Sequence, residues 1–345
     1  MTELLNTLYV QTQGTHLNLD HDAVTVRGEM HSGPARFPLL RIDAIVVFGR
    51  VTLSPQLLAR CATDGRAVVW LDHNGRFNAR LQGRVGGNVL LRRAQHLAFD
   101  DEDRRLLLAR NIVAGKLQNS RRVLLRAARD ATETDPREGL RAAAGELALG
   151  IGALERQMSL DAVRGVEGRG ARVYFDAFHH ALRVESSDLQ MDGRTRRPPR
   201  DPVNALLSFL YALLQTSCWS ALEAVGLDPQ IGFLHGLRPG RPSLALDLME
   251  EHRAVLADRL ALTLLNRRQI TSGDFEFLPG GAVRLTESSR KTVLAEWQRA
   301  RLHEHHHRLL GRRVQSGLLP QIQARLLARC LRGDLKTYVP FTIRG

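Results

Sequence analysis

The sequence has little lysine, little cysteine and no long apolar run, and each shortage narrows the possible classes of protein. Lysine supplies only three of the 49 basic residues, so arginine carries most of the positive charge. Cys61, Cys218 and Cys330 are far apart and form no CxxC pair, which argues against a zinc site or a disulfide framework and fits a reducing cytoplasm. No run of about 18 apolar residues occurs and residues 1–6 do not resemble a secretion signal, so we predict a cytoplasmic protein without a membrane span.

The formal net charge of +13 indicates a polyanionic partner. Each phosphate that a basic side chain neutralises releases condensed counterions, which favours binding to nucleic acid. Arginine also binds phosphate through two hydrogen bonds, although a GC-rich genome would by itself raise the ratio of arginine to lysine. Genome composition does not explain the net charge, and no basic amphipathic helix with exposed aromatic residues is evident, so nucleic acid is favoured over an acidic membrane surface.

The first 85 residues have the pattern of a small β-sandwich domain. Apolar and polar residues alternate with a period of two in short runs separated by turn residues. The predicted strands are 7–11, 16–19, 24–26, 36–39, 44–48, 68–71 and 77–81. The last two flank Asn74-Gly75, which is a strong hairpin signal. Ser54-Pro55 has the pattern of an N-cap and first-turn proline, so a short helix is expected from there to Gly65.

Beyond a linker placed at 86–100, the hydrophobic period changes to 3.6 and predicts a helical domain over 101–345. Helical spacing is found in 106–117, 142–160 and 204–214, and a final helix is expected at 318–331, with a loose tail after Gly333. Residues 189–202 form a basic, proline-rich loop between helices. The expected fold class is therefore α+β, with a small N-terminal β-sandwich domain followed by a larger all-α catalytic domain.

Glu167 is the first candidate catalytic residue. Glycines on both sides of it let a ligand or another helix approach the backbone closely. Arg169 and Arg172 are close to it in the sequence. Local sequence alone favours a plainer interpretation, in which Glu167 is a surface residue paired with Arg172 in an interaction worth less than about 1 kcal/mol.

A second cluster joins His235 to Asp247 and Glu250, which share one face of a predicted helix at positions i and i+3. Ser243 is expected to cap this helix. The same face borders an apolar run, so at least one carboxylate should be partly buried and should need a cation or a hydrogen-bond partner. A helix N-terminus whose dipole favours acids explains the spacing as well as a metal site does.

Carboxylates combined with one imidazole and no thiolate are suitable ligands for Mg²⁺ or Mn²⁺. An ion held in this way would polarise a phosphodiester and lower the pKa of an attacking hydroxyl. Four arginines near these acids in the sequence are candidates for binding the DNA backbone. They are Arg169, Arg172, Arg238 and Arg241.

Three other clusters are assigned roles outside catalysis. Consecutive residues on a helix point in different directions, so the histidine-rich run 303–307 is expected to be a solvated or DNA-facing helix surface and not a metal site. His179 and His180 are expected to be packing or surface residues. Tyr174 and Phe175 could stack on bases, but a position in the core is favoured.

Three segments, in this order, resemble the CRISPR-associated adaptation integrase family, the larger protein of the spacer-acquisition complex. They are Gly165–Phe175, Asp201–Tyr211, and Gly232–His235 continued by Pro242–Arg253. The β-then-α organisation matches the family along essentially the whole chain, and the N-terminal stretch looks most like the subtype I-C version.

The resemblance implies a divalent-metal-dependent DNA endonuclease and integrase. Family members are homodimers, and two dimers bridged by a small ferredoxin-like partner form a heterohexamer. This complex holds a short double-stranded DNA whose 3′-hydroxyl ends attack the repeat of a CRISPR array by transesterification. The metal ligands of the family fall on Glu167, His235 and Glu250, although many members have aspartate at the last position. Asp247 matches a further acidic position, either a direct ligand or a residue behind the ligands, and Asn204 would tie the start of its helix near the site.

Two other functions stay open on the sequence. A metal-dependent nuclease of DNA repair or branched DNA would use the same residues without joining strands. A nucleic-acid-binding scaffold would use its acids only to cap helices and to pair with arginines, and replacing Glu167 with alanine would leave its behaviour unchanged.

Overall fold

The structure is a computed structural model that describes residues 6–28, 35–72, 75, 77–83, 89–183, 189, 191, 193–195 and 198–344. The chain divides into two compact units. The first comprises Met1–Gly86 and Glu287–Leu302, and the second comprises Gly87–Thr286 and His303–Gly345.

The first unit contains two four-stranded sheets and two helices. Its strands are β1 (Thr7–Val10), β2 (Thr15–Asp20), β3 (Ala23–Arg27), β4 (Ala35–Pro38), β5 (Ala44–Phe48), β6 (Val51–Leu53), β7 (Ala67–Leu71) and β8 (Phe77–Arg80). Its helices are α1 (Pro55–Asp64) and α9 (Glu287–Leu302). The strand orders are β1-β5-β7-β8 and β4-β3-β2-β6. One apolar cluster takes buried residues from both sheets and from α1, so this unit has a single core.

Every predicted strand of the N-terminal region is present within about two residues, and β6 was not predicted. The Ser54 hydroxyl accepts a hydrogen bond from the backbone N–H of Leu57 at 3.3 Å, and Gly65 ends α1 with a φ of +69°, as the local pattern predicted. Strands β7 and β8 pair in antiparallel fashion, although Asn74 of the predicted turn lies outside the described residues. The alternating pattern gave no sign that β1, β5 and β7 are parallel, or that α9 joins this unit.

The second unit is mainly helical. Its helices are α2 (Val89–Asp100), α3 (Glu102–Asp130), α4 (Thr134–Ala153), α5 (Leu160–Phe178), α6 (Pro202–Val225), α7 (Ser243–His252), α8 (Arg259–Asn266) and α10 (Leu319–Leu331). Its strands are β9 (Phe275–Phe277), β10 (Val283–Leu285), β11 (Glu304–His307) and β12 (Arg312–Gln315). The mixed α+β class is therefore confirmed.

Two details of the predicted second domain are wrong. Residues 89–100, expected within a linker, form α2, which is held by packing against α3 and α10. The domain is also not all-helical, because β9 pairs with β10 and β11 with β12 in two short hairpins. Gly280, Gly281 and Gly311 have positive φ angles between these strands, a conformation that glycine adopts without steric cost.

Helix α6 is a core helix of the second unit. By length and composition it is the one helix of the described chain that could cross a membrane, but 61% of its apolar stretch is buried inside the protein. It packs against α7 and α10, so its apolar surface is satisfied by protein contacts.

Helices α7 and α8 are joined by a π-helical segment, Arg253–Asp258, so residues 243–266 form one continuous helical rod. Helix α3 packs along α7 and the π-helical segment, and it also packs against α5. This packing brings side chains of α3, α5 and α7 to one place, where the candidate site lies.

Candidate active site

The candidate site lies where α3, α5 and α7 meet. Gly170 of α5 has no side chain, and a Cβ atom there would overlap the Leu117 side chain of α3, so the glycine allows the two helices to pack closely. This close packing puts Glu167, one turn earlier on α5, against Lys116 of α3. Asp247 and Glu250 of α7 share one face, as their spacing predicted, and Glu250 also reaches Lys116.

One ammonium group joins the two glutamates. The Nζ atom of Lys116 donates a hydrogen bond to Glu167 Oε1 and lies 2.7 Å from Glu250 Oε2. Glu250 is only 3% exposed, and its other oxygen lies 3.1 Å from the guanidinium of Arg253. Burial alone would raise the pKa of Glu250, but the charges of Arg253 and Lys116 lower it to about 2. Glu250 is therefore ionised across the neutral pH range.

His235 is oriented by Asp247. The ring Nδ1 lies 2.6 Å from Asp247 Oδ1, a contact to a carboxylate that assigns the ring proton to Nδ1 and leaves a lone pair on Nε2. This Nε2 atom lies 4.0 Å from Glu250 Oε1. The imidazole nitrogen that is available to a ligand therefore faces the same place as the two glutamates.

Both carboxylate oxygens of Asp247 accept hydrogen bonds from the loop that carries His235. Its carboxylate accepts from the backbone N–H groups of Phe233, Leu234 and His235, the last two at 3.0 Å. Gly232 is required beside it, because a Cβ atom there would lie 2.8 Å from Asp247 Oδ2. Asp247 is thus a positioning residue in this structure, behind the histidine that it orients.

The prediction that Ser243 caps α7 is wrong. Ser243 is already the first residue of the helix, and its hydroxyl donates to the carbonyl of Gly236 at 2.9 Å, which closes the His235 loop. Arg164 and Arg105 support the same loop by donating to the carbonyls of Leu234 and Phe233. The loop is therefore held from three sides.

Replacing Asp247 with asparagine tests this positioning role. An amide nitrogen would face N–H donors that now bond a carboxylate oxygen, so we expect the variant to lose about 1.5–3 kcal/mol of unfolding free energy. Urea unfolding measures this loss. The matched control is Asp176→Asn, which removes an exposed acid elsewhere on α5, and its cost should stay within about 0.5 kcal/mol. Equal costs for the two variants would contradict the assignment.

The four candidate DNA-binding arginines lie outside this cluster. Arg169, Arg172 and Arg238 are exposed and Arg241 is partly buried, and none of them forms an ion pair with a carboxylate within the described residues. Glu167 pairs with Lys116, so the plainer interpretation of a surface pair with Arg172 is wrong. Arg169, Arg172 and Arg238 are therefore accessible to a polyanion, and Arg241 is partly accessible.

A buried network of tyrosines and an aspartate also contacts Arg253. The guanidinium lies 4.8 Å from the centre of the Tyr211 ring, and the Tyr211 hydroxyl donates to Asp258 at 2.7 Å. Tyr174 donates to the other oxygen of Asp258 at 2.9 Å, so its predicted position in the core is confirmed. Burial raises the pKa of Asp258 to about 6.

Asn204 has the structural role that the resemblance implied. It is fully buried near the start of α6, where its side chain accepts hydrogen bonds from Arg194 and the Thr195 backbone and donates to the Gly193 carbonyl. Its backbone N–H is capped by Asp201 at 2.7 Å. These bonds fix the preceding loop against the start of the helix.

The C-terminal residues are not a loose tail. The backbone N–H of Phe341 and the hydroxyl of Tyr338 both donate to the buried carboxylate of Glu251. Asn119 of α3 holds the Phe341 carbonyl at 2.8 Å and the Ile343 N–H at 3.0 Å. We call residues 337–343 the C-terminal strap, since they bind α3 and α7 at the same time. Polar groups spaced along an extended segment show no hydrophobic period, which is why the pattern did not reveal it.

The histidine run also differs from the prediction, because residues 304–307 form strand β11 and not a helix. The alternation of a strand buries His307, whose Nε2 lies 3.0 Å from Gln323 Oε1, and leaves His306 only partly covered. The rings of His179 and His180 contact each other in a 3-10 turn after α5, where His179 is exposed and His180 partly buried, which agrees with the packing or surface role expected for them.

The donor set suits a hard divalent ion, although no three histidine, cysteine or acidic side chains of the described chain lie close enough together to hold one as they stand. The reason is that the Lys116 ammonium already lies between Glu167 and Glu250. Two carboxylates that converge on one positive charge, with an imidazole Nε2 nearby, fit Mg²⁺ or Mn²⁺. An ion would have to displace the ammonium.

Comparison with known proteins identifies the family of the chain. The family model described as CRISPR associated protein Cas1 matches residues 8–299. The chain belongs to the Cas1 family. It is 52% identical over 343 residues to the CRISPR-associated endonuclease Cas1 1 of Moorella thermoacetica, with 99% of each chain covered. It is 48% identical over 354 residues to the CRISPR-associated endonuclease Cas1 2 of Rhodospirillum rubrum, again with 99% of each covered.

Solved structures share the fold of this Cas1-family chain at low sequence identity. A casposase bound to its integration product superposes with a TM-score of 0.82 at 23% identity, covering 96% of this chain and 92% of the other. A Cas1 protein from Thermotoga maritima gives a TM-score of 0.81 at 24% identity, covering 98% and 100%. The N-terminal β region and the helical C-terminal region are thus features of the Cas1 fold.

Sequence reasoning singled out Glu167, His235, Asp247 and Glu250, which the structure brings together, but it did not single out Lys116. One signal was available, since Lys116 is one of three lysines and interrupts the apolar stretch Ile112–Leu117 of α3. A charged residue on a buried helix face needs a charged partner, and the acids that Lys116 contacts are on other helices. Asp258 and Glu251 gave no such signal, because their partners come from distant segments.

Proposed function

We propose that this chain is a divalent-metal-dependent DNA endonuclease and integrase that inserts short DNA fragments into a CRISPR array in the cytoplasm. The observation that carries the proposal is the convergence of Glu167 and Glu250 on the Lys116 ammonium, with His235 Nε2 4.0 Å from Glu250. Relatives that match the whole chain are named CRISPR-associated endonucleases, and one structure with the same fold is bound to an integration product.

Glu167, His235 and Glu250 would hold the ion, Mg²⁺ or Mn²⁺. Such an ion polarises a phosphodiester and makes a hydroxyl a better nucleophile near neutral pH. Glu250 is already ionised before an ion binds, because Arg253 and Lys116 lower its pKa to about 2. Asp247 keeps the His235 ring in the orientation that presents Nε2.

The proposed reaction is a transesterification. The 3′-hydroxyl oxygen of the incoming DNA forms a bond to a phosphorus atom of the repeat and loses its proton. The bond from that phosphorus to the 3′-oxygen of the repeat strand breaks, and this oxygen takes up a proton. Water in place of the DNA hydroxyl gives strand cleavage by the same site.

The proposed assembly follows the family. The chain would form a homodimer and join a small ferredoxin-like partner in a heterohexamer on double-stranded DNA. Proteins with this fold have been solved as Cas6-RT-Cas1–Cas2 complexes, which supports a partner of the Cas2 kind. The exposed Arg169, Arg172 and Arg238, with Arg241, would contact the DNA backbone. We assign the chain to subtype I-C on the resemblance of its N-terminal stretch.

Strand joining tests the proposal. Purified protein, with and without the small partner from the same locus, is mixed with labelled short duplex DNA, a plasmid that contains the repeat, and Mn²⁺ or Mg²⁺. We expect a joined product that requires the metal and is lost in both His235→Ala and Glu250→Ala.

The other outcomes are equally informative. Metal-dependent cleavage without joining would indicate a nuclease of DNA repair. Joining that persists in both variants would show that the site is assigned to the wrong residues. Binding of DNA with neither reaction, and without any effect of metal on the melting temperature, would indicate a scaffold.

A further inference from the structure

A second polar cluster lies on two of the elements that build the candidate site. Arg126 follows Lys116 by ten residues on α3, a distance of about 15 Å along the helix axis. Arg259 follows Glu250 on the continuous rod formed by α7, the π-helical segment and α8. The two arginines line one pocket with a volume of about 210 Å³, far above the 10–15 Å³ or so that one water needs.

The pocket is predominantly basic. Arg126, Arg183 and Arg267 line it and are exposed, and Arg259 is partly buried. Asp130 is the only acidic residue among those that line it. The pocket therefore concentrates positive charge from α3, from α8 and from the segment after α5.

These arginines are not neutralised by the protein. Within the described part of the chain, no carboxylate lies within ion-pair distance of any of the four guanidinium groups, and Arg183 makes only a 3.5 Å contact to the Asp130 carbonyl. Burial and the neighbouring charge of Arg126 lower the pKa of Arg259. Cations that face each other without a counterion are costly, and a bound anion would relieve that cost.

The amide and hydroxyl side chains of the pocket are already bonded. Asn266 accepts from the Arg183 backbone and donates to the Ala181 carbonyl, and the Thr263 hydroxyl donates to the Arg259 carbonyl. The donors left to a ligand are therefore guanidinium N–H groups together with the His180 ring. The planar fork of a guanidinium matches phosphate oxygens. A phosphate group carries the oxygens and the charge needed to bond more than one arginine at once.

We propose that this pocket is a binding site for a phosphate group, separate from the metal site. The phosphate has two possible sources: a backbone phosphate of bound DNA, in which case the pocket rests on the proposed function, or a free phosphoanion such as pyrophosphate or a nucleotide. Both use the same arginine chemistry, and the variants below distinguish them.

The first experiment measures pyrophosphate binding by titration calorimetry at low ionic strength, with a chelator present so that no metal can mediate the contact. We expect wild-type protein to bind, and Arg259→Gln and Arg126→Gln each to weaken binding by about tenfold or more, since each removes hydrogen bonds to a charged group. The matched control is Arg129→Gln, which makes the same change on the same turn of α3 outside the pocket. It should bind as wild type does.

The second experiment identifies the source. The salt dependence of duplex DNA binding is compared for wild type, Arg126→Gln and Arg129→Gln. A DNA phosphate in the pocket predicts a salt slope smaller by about 1 in Arg126→Gln alone. An unchanged slope together with lost pyrophosphate binding indicates a free phosphoanion.

Undiminished pyrophosphate binding in both pocket variants, or none in wild type, would overturn the proposal. Arg126 is exposed, so its variant keeps the test valid even if Arg259→Gln does not fold. His235→Ala separates the two functions: it should lose strand joining but keep pyrophosphate binding. Loss of strand joining therefore bears on the metal site, and loss of pyrophosphate binding bears on the pocket.

Discussion

Replacing Lys116 with methionine is expected to destabilise the metal-free protein by about 3–5 kcal/mol and to make its stability depend strongly on divalent metal. Lys116 is 11% exposed and bridges Glu167 and Glu250. Without the ammonium, two carboxylates face each other in a mostly buried place, and only Arg253 still neutralises one of them.

The same variant should bind metal more tightly. In the wild-type protein, an ion must displace Lys116 before it can reach both carboxylates, so the ammonium competes with it. We expect Mn²⁺ to raise the melting temperature of Lys116→Met more than that of wild type, because binding to the folded state alone stabilises it by mass action. Scanning calorimetry over a series of Mn²⁺ concentrations measures this difference.

Two controls make the result specific. Lys291→Met removes a half-exposed lysine that pairs with Glu287 at 3.3 Å, and such a pair is worth only about 0.3–0.5 kcal/mol. Adding Glu250→Gln to Lys116→Met should abolish the extra response to Mn²⁺. If Mn²⁺ raised the melting temperatures of wild type and Lys116→Met equally, the ammonium would not occupy the metal position.

Replacing Phe341 with alanine is expected to cost about 3–5 kcal/mol of stability, because its ring is 2% exposed and packs beside His252, His305 and His307. The effect should extend to the active site. The C-terminal strap contacts α7 at Glu251, next to Glu250, and Pro340 packs against Gly115, next to Lys116.

Phe341→Ala should therefore lower strand joining as well as stability, even at a temperature where the protein is fully folded. Urea unfolding and the strand-joining assay measure the two effects. Val339→Ala is the matched control, since Val339 is 40% exposed in the same strap and should cost less than about 0.5 kcal/mol. A destabilised Phe341→Ala that joins strands at the wild-type rate when folded would show that the strap only adds stability.

The parts of this structure that local chemistry determines could be predicted from the sequence. β5 at 44–48 follows from a short run of apolar and mostly β-branched residues, and the start of α1 at Ser54-Pro55 follows from capping. The common face of Asp247 and Glu250 follows from the geometry of one helix. These features need no knowledge of distant segments.

The features that were missed depend on contacts between distant segments. The run 303–307 is expected to lie on a helix surface, but it forms a strand through pairing with β12. The bridge from Lys116 to Glu167 and Glu250 joins three helices. The C-terminal strap is fixed by side chains of α3 and α7 that lie more than two hundred positions and about ninety positions away in sequence.

The π-helical segment at Arg253–Asp258 determines the direction in which the side chains of α8 point from the helix axis. A π turn accommodates one residue more than an α turn, and successive residues of an α-helix are rotated by about 100°. Removing one residue from this segment would restore a regular helix but turn Asp258 away from Tyr174 and Tyr211, and Arg259 away from the pocket. A local winding irregularity is therefore what allows a single uninterrupted helix to face the acidic site at one end and the arginine pocket at the other.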